Sequence, residues 1–200
     1  MYILNYRILN LLIRFIFVFS FIFAVNINAH AEDKNAALIK AMQDGGHILM
    51  IRHAKAPGFG DPANIKIDDC STQRNLDQQG RQQSKRIGEW LRSNNIEVAE
   101  VYSSQWCRCL DTARLLNMGV VKELPALNSF FQMPENREPS LRALKQFISD
   151  QAINQNLIIM VTHHVTIAAI SGQNVASGDG VLLKLNESAP FEFVGIFNPE

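Results

Sequence analysis

Arg52 and His53 end the apolar run Ile48-Leu-Met-Ile51, and a strand of that composition delivers both side chains to the edge of a sheet. The run Leu157-Ile-Ile-Met-Val-Thr162 delivers His163 in the same way, and Ser104-Gln-Trp-Cys-Arg108 opens a helix that carries a further arginine. A neutral imidazole is a competent nucleophile near pH 7, because its unperturbed pKa is about 6.5. Arginine offers a rigid fork of donors that matches phosphoryl oxygens as lysine does not. Two histidines and two arginines at one sheet edge therefore suit phosphoryl transfer through a histidine. His53 is the nucleophile, its second ring N–H held by a backbone carbonyl, and Arg52, Arg108 and His163 bind the transferring group. That chemistry rests on positioning and charge stabilisation and requires no metal or other cofactor.

Taken singly, each residue has a plainer reading. His53 could cap its strand with Arg52 as an ion-pair partner, and Arg108 could be a solvated helix residue paired with Asp111 or Asp77. Finding all of them in register outweighs the separate readings. His163 and His164 are neighbours at a strand end, so alternation sends their side chains to opposite sides and at most one faces the centre. Lys55, Arg74, Phe130 and Phe131 are secondary candidates: a substrate anion contact, a rim arginine and two pocket walls. Solvation, a surface ion pair and core packing are the respective alternatives.

The elements that must position these groups follow from periodicity. Residues 77–95 read as an amphipathic helix with Ile87, Trp90 and Leu91 on its buried stripe, and 107–116 and 140–152 read as two more. Strands are expected at 48–51, 96–102, 120–124 and 157–161, with 181–185 and 191–196 pairing as a hairpin. Residues 54–72, rich in glycine and proline, form a long loop directly after His53, where loops are often binding loops. Strands alternating with helices argue for an α/β three-layer sandwich with a mainly parallel central sheet. Active residues then belong at the carboxyl ends of its strands.

The chain of 200 residues begins with Arg7 and Arg14, an apolar run from Phe15 to Val25, and the small-x-small site Ala29-His-Ala31. That is the layout of a secretory signal peptide over residues 1–31, leaving a single domain at 32–200. An uncleaved anchor is the alternative, weakened by Arg14 within it. The whole chain balances 19 basic against 19 acidic residues, and the leader holds two of the bases and none of the acids. The remainder is slightly acidic, which excludes a general attraction to nucleic acid and gives no stable membrane attachment after cleavage. Export makes a disulfide from Cys70 to Cys107 or Cys109 plausible. Cys107-x-Cys109 lacks zinc-finger spacing, so no metal is implied.

Arg52-His-Ala54 resembles the Arg-His-Gly motif of the histidine phosphatase (phosphoglycerate-mutase-like) superfamily. Arg74-Asn-Leu-Asp-Gln-Gln-Gly80 resembles the lead-in to that family's first long helix. Ser104-Gln-Trp-Cys-Arg108-Cys-Leu-Asp-Thr112-Ala113 is similar to its Ser-Pro-x-x-Arg-x-x-x-Thr-Ala motif, with Gln105 in place of proline, and Val161-Thr-His-His164 to its second-histidine strand. The resemblance implies a phosphatase that hydrolyses a small phosphomonoester through a phosphohistidine on His53, and the signal layout makes it an exported one, periplasmic or secreted. Analogy with exported members suggests a sugar phosphate. The sequence departs from the pattern at the proton donor. The mutase-like branch carries a glutamate where this chain reads Leu124-Pro-Ala-Leu-Asn128-Ser129, and none of Asp61, Glu123, Glu135 and Glu138 is singled out by spacing. His164 occupies the position of the acid-phosphatase branch's aspartate and is a candidate acid or a packed neighbour. The missing carboxylate motivates the alternative function, a non-catalytic phosphate- or anion-binding protein of the same fold.

Overall fold

The computed structural model describes residues 35–96, 100–151, 156–186 and 191–199. The leader expected at 1–31 lies outside them. The site belongs wholly to the compact unit Lys40–Glu200. Residues 35–44 are helical (α1) and are followed by β1 (His47–Arg52). Then come α2 (Gln78–Ser93), β2 (Glu100–Ser103), α3 (Cys107–Leu116), β3 (Val121–Glu123), α4 (Arg137–Asp150), β4 (Ile158–Thr162), α5 (His164–Ser171), β5 (Gly180–Lys184) and β6 (Glu192–Phe197).

The strands form one six-stranded sheet in the order β3-β2-β4-β1-β5-β6. The first four are parallel, and β5 and β6 add an antiparallel hairpin at one side. β1 and β4 occupy the middle, and their Val/Ile/Leu/Met content matches burial on both faces. Alternation sends Ile48, Met50, Ile158 and Met160 into a cluster with Leu141, Leu144, Ile148, Ile167 and Ile170 of α4 and α5. Leu49, Ile51, Ile159 and Val161 are equally buried on the opposite face, where α2 and α3 pack together. The expected three-layer α/β sandwich with a mainly parallel sheet is the observed architecture. Among the described residues no helix is long and apolar enough to cross a membrane.

Local signals explain most boundaries. Asp77 caps α2 by accepting the Gly80 N–H at 2.7 Å. Ile87 and Leu91 of that helix are buried, while Trp90 is half-buried and meets Phe197 edge to face. α4 begins three residues earlier than its apolar periodicity suggests. A 3₁₀ turn at Pro134–Asn136 feeds into it, Glu138 suits the positive helix start, and Pro139 falls in the first turn, where no N–H is needed. Asn117 and Gly172 end α3 and α5 in left-handed conformations. Gly80 is required by close approach: a Cβ there would stand 2.0 Å from the Lys55 carbonyl oxygen. The start of α2 is thereby pressed against the backbone that follows His53.

The loop at 54–72 is ordered by a covalent tie. Cys70 and Cys107 form a disulfide across a sequence separation of 37 residues, fastening the loop's end to the first residue of α3, while Cys109 is free and buried. Gln73 reinforces the join, its Oε1 accepting the Cys107 N–H and its Nε2 donating to the Lys66 and Ile67 carbonyls. Closing a loop of that length lowers the entropy of the unfolded chain by about 4 kcal/mol in free energy at 25 °C. The double variant C70S/C107S is therefore expected to lose stability of that order in urea denaturation, with far-UV circular dichroism unchanged.

Candidate active site

The site gathers at the carboxyl ends of β1, β2 and β4. Arg52 is in register with Thr162, the His53 N–H donates to the Thr162 carbonyl at 2.9 Å, and the Ser104 N–H donates to the Val161 carbonyl at 2.9 Å. These bonds continue the sheet ladder one residue past each strand, so His53, Ser104 and His163 leave it side by side. The imidazoles of His53 and His163 have ring centroids 5.5 Å apart. With Arg52, Arg74 and Arg108 they line a cleft of about 180 Å³, together with Asp61, Phe59, Phe131 and His164.

His53 is fixed in one tautomer. Its Nδ1–H donates to its neighbour's carbonyl, Ala54 O, at 2.8 Å, which places the free lone pair on Nε2. Burial, and then the charge of Arg108, pushes its pKa down to about 3. Thr112 couples this residue to α3, the helix that carries Arg108: its Oγ1 accepts the Ala54 N–H at 3.0 Å and donates to the Arg108 carbonyl at 2.7 Å.

His163 is buried in a network of its own. Arg108 Nη2 approaches its Nδ1 at 3.4 Å, so Nε2 carries the proton and donates to Ser104 Oγ at 2.9 Å. Ser104 Oγ donates in turn to Asn128 Oδ1. Trp106 packs edge-on against the ring, and Cys109 Sγ lies 3.4 Å from Nε2. Burial and the nearby Arg108 hold the His163 pKa well below its usual value. The ring is neutral in this structure. Burial among arginines opposes a further positive charge until an anion offsets it. The same burial raises the Cys109 thiol to about 12, so it stays protonated.

Arg108 is 3 % exposed and is gripped by Asp61, with Nη1 to Oδ1 at 2.8 Å and Nη2 to Oδ2 at 3.0 Å. It does not pair with Asp111, which binds Arg81 instead. Asp61 also accepts from the Arg74 N–H at 3.0 Å and from Trp106 Nε1 at 3.1 Å. Burial alone would raise its pKa, but the Arg108 and Arg74 hydrogen bonds outweigh that and keep it below the usual carboxylate value. Arg52 donates from Nη1 to the Val175 carbonyl. The Nε atoms of Arg52 and Arg108 are buried without an acceptor among the described residues, a demand that a tetrahedral oxyanion can meet.

All four expected residues, Arg52, His53, Arg108 and His163, are thus brought to one cleft. One expectation is corrected: His163 and His164 both line it. Strand alternation stops at Thr162, His163 is an extended cap residue, and His164 opens α5, so the two side chains no longer point apart. Lys55 is exposed and binds Gln79, while Arg74 reaches the wall. Phe130 is core and Phe131 lines the cleft. Sequence reasoning missed Ser104 as a histidine anchor and Asp61 as the arginine's partner. Ser104 was visible at the head of its motif. Asp61 carried no signal, because it sits in a loop whose path is fixed by tertiary contacts.

Residues 48–130 match the family model described as histidine phosphatase superfamily (branch 1). Among solved structures, the protein histidine phosphatase SixA complexed with tungstate is similar over 76 % of this chain and 97 % of that one, at 16 % identity and a TM-score of 0.56. The mycobacterial glucosyl-3-phosphoglycerate phosphatase complexed with VO3 is similar over 77 % and 99 %, at 15 % identity and 0.57. A mutant phosphoserine phosphatase from Entamoeba histolytica in complex with phosphoserine matches over 77 % and 98 %, at 11 % identity and 0.53. Among curated protein sequences none matches significantly. These likenesses show the fold, and residues 48–130 are similar to the histidine phosphatase superfamily model.

Two outcomes follow from the charges. The folded state keeps His53 neutral down to about pH 3, whereas the unfolded imidazole takes a proton near 6.5. The unfolded chain then binds more protons between those values, so stability falls as pH drops from 6.5 towards 3. NMR titration should find the His53 ring unprotonated at pH 5. Asp61→Asn leaves the buried Arg108 charge uncompensated and should cost about 3–5 kcal/mol of stability. Tungstate or phosphate, supplying the lost negative charge, should raise the melting temperature of that variant more than that of the wild type.

Proposed function

We propose that this chain is an exported phosphatase that hydrolyses a phosphomonoester through a phosphohistidine on His53. The observation that carries the reading is the His53 ring, neutral and fixed by Ala54 with its Nε2 lone pair available, in a cleft shared with Arg52, Arg108 and His163. In the first step Nε2 forms a bond to phosphorus while the bond from phosphorus to the leaving oxygen breaks, and that oxygen keeps the electron pair. The developing imidazolium is stabilised through its Nδ1–H by the Ala54 carbonyl. Arginine forks hold the equatorial oxygens, and the His163 ring lies beside them. Water then attacks phosphorus, the P–N bond breaks, and its electron pair returns to Nε2. One water proton leaves with the departing group, and the other stays on inorganic phosphate.

By their names, the similar structures act on or bind a phosphorylated protein histidine, phosphoserine or glucosyl-3-phosphoglycerate. That spread supports small phosphorylated substrates for this chain, and the identity of the departing group is argued from the cleft. Export is supported by the signal layout at 1–31 and by the Cys70–Cys107 disulfide, which persists in an oxidising compartment. A periplasmic or secreted location would appear as a mature amino terminus near Glu32 in mass spectrometry of the exported fraction.

A second reading, an anion-binding protein without turnover, is favoured by one observation. The carboxylate on the cleft wall among the described residues, Asp61, is ion-paired and ionised, not poised as an acid. Hydrolysis of 4-nitrophenyl phosphate separates the two, since nitrophenolate leaves without help. Wild type should turn it over, and His53→Ala should lower kcat at least a thousandfold while still binding phosphate. Equal rates for the two proteins would exclude the enzyme.

A further inference from the structure

The cleft has an outer half that phosphoryl binding does not use. Phe59 is 88 % exposed and Phe131 48 % exposed, their ring centroids stand 5.1 Å apart edge to face, and both line the same cleft as His53 and Arg108. The pair is built into place. Phe59 stands between Gly58 at φ +95° and Gly60 at φ +67°, left-handed conformations that side-chain-bearing residues rarely adopt. Gln132, next to Phe131, brackets the loop by accepting the Asp61 N–H at 2.6 Å and donating to the Asp61 carbonyl at 3.0 Å. The loop that carries Asp61 to Arg108 thus also holds Phe59 against Phe131. An apolar surface kept in water at the mouth of a polar cleft marks a contact for ligand.

A second observation bears on what that ligand is. Departure of an alkoxide, as from a sugar hydroxyl, calls for an acid. On the described cleft wall, Asp61 has both carboxylate oxygens bound to Arg108. His163 directs its Nε2–H to Ser104, and His164 directs its Nε2–H to Asn174 at 2.8 Å. None of them offers a proton to the bridging oxygen. A phenolate needs none: its conjugate acid has a pKa of about 10, against about 15.7 for water, whose basicity an alkoxide approaches.

We propose that the substrate is an aryl phosphate, with the phosphate in the arginine-histidine half of the cleft and the aromatic ring on Phe59 and Phe131. The inference rests on the phosphatase reading and replaces the sugar phosphate suggested by analogy. His53 Nε2 bonds to phosphorus as the P–O bond breaks, the aryl oxide departs with the electron pair, and a proton released when water cleaves the phosphohistidine neutralises it.

The test compares wild type, F59A, F131A and the double variant on phenyl phosphate, glycerol 2-phosphate and glucose 6-phosphate, with inhibition by inorganic phosphate as a check on the inner half. The double variant should raise KM for phenyl phosphate about tenfold. Its phosphate inhibition constant should stay unchanged, and any rise in KM for the two alkyl esters should be smaller than that for phenyl phosphate. Equal losses on all three substrates, no loss on any, or wild-type turnover of glucose 6-phosphate matching that of phenyl phosphate would overturn the proposal. Binding to the H53A background distinguishes this failure from failure of the phosphatase reading. Phenyl phosphate binding more tightly than methyl phosphate there, and losing that margin with F59A/F131A, supports the aromatic platform even if turnover is never seen. Equal affinities would refute the platform even in an active enzyme.

Discussion

The buried ion pair of Arg108 with Asp61 is the constraint around which the rest of the site is arranged. Arg108, Arg52 and Arg74 crowd one cleft beside two imidazoles, and such a collection of positive groups away from water carries a large desolvation cost. The protein limits that cost in two ways. It leaves both histidines uncharged, and it brings one carboxylate in from the loop to satisfy Arg108 with two hydrogen bonds. For the proposed phosphatase the first device would have a catalytic value, since an uncharged imidazole is the reactive form. By the second, a phosphate bound as proposed would meet a guanidinium already oriented but shared with an internal anion. Ground-state binding would then be tempered, while the accumulating negative charge of the transferring group would be met by donors held in place beforehand.

Much of this organisation could be read from the chain, and the reason is local. Apolar runs at 48–51 and 157–161 are fully buried in the structure, so composition alone identified them as central strands, and a strand's end fixes where the next residue emerges. Arg52, His53 and His163 inherit their positions from that geometry. Arg108 was legible because α3 begins with its motif and runs over the expected residues, 107–116. The loop contributions were not legible. Asp61 lies 47 residues from Arg108 in sequence, and its place depends on Gln132, Trp106 and the Arg74 backbone, each supplied by a different segment. No periodicity encodes such a meeting. The relation between His163 and His164 failed for a more specific reason: strand alternation was extended one residue beyond the strand, into the start of a helix.

The two halves of the cleft also differ in how they are supported. The inner half stands on ladder bonds and helix starts, with Ser104, Thr112 and Asn128 closing its hydrogen-bond network. The outer half stands on a loop tied at its end by the Cys70–Cys107 disulfide and bracketed midway by Gln132. Rigid elements fix the geometry that bond breaking needs, and the loop decides what sits opposite it.

Thr112 gives that division a further meaning. One hydroxyl touches both the backbone beside His53 and the carbonyl of Arg108. If α3 drifts, His53 and Arg108 travel together as one mechanical unit, and their spacing survives. The mouth is tied to the same helix through Asp61 and the Cys70–Cys107 disulfide, so Phe59 and Phe131 can be exchanged without detuning the inner half only while those two ties are kept. A lineage built on this frame could change its diet many times while keeping one engine.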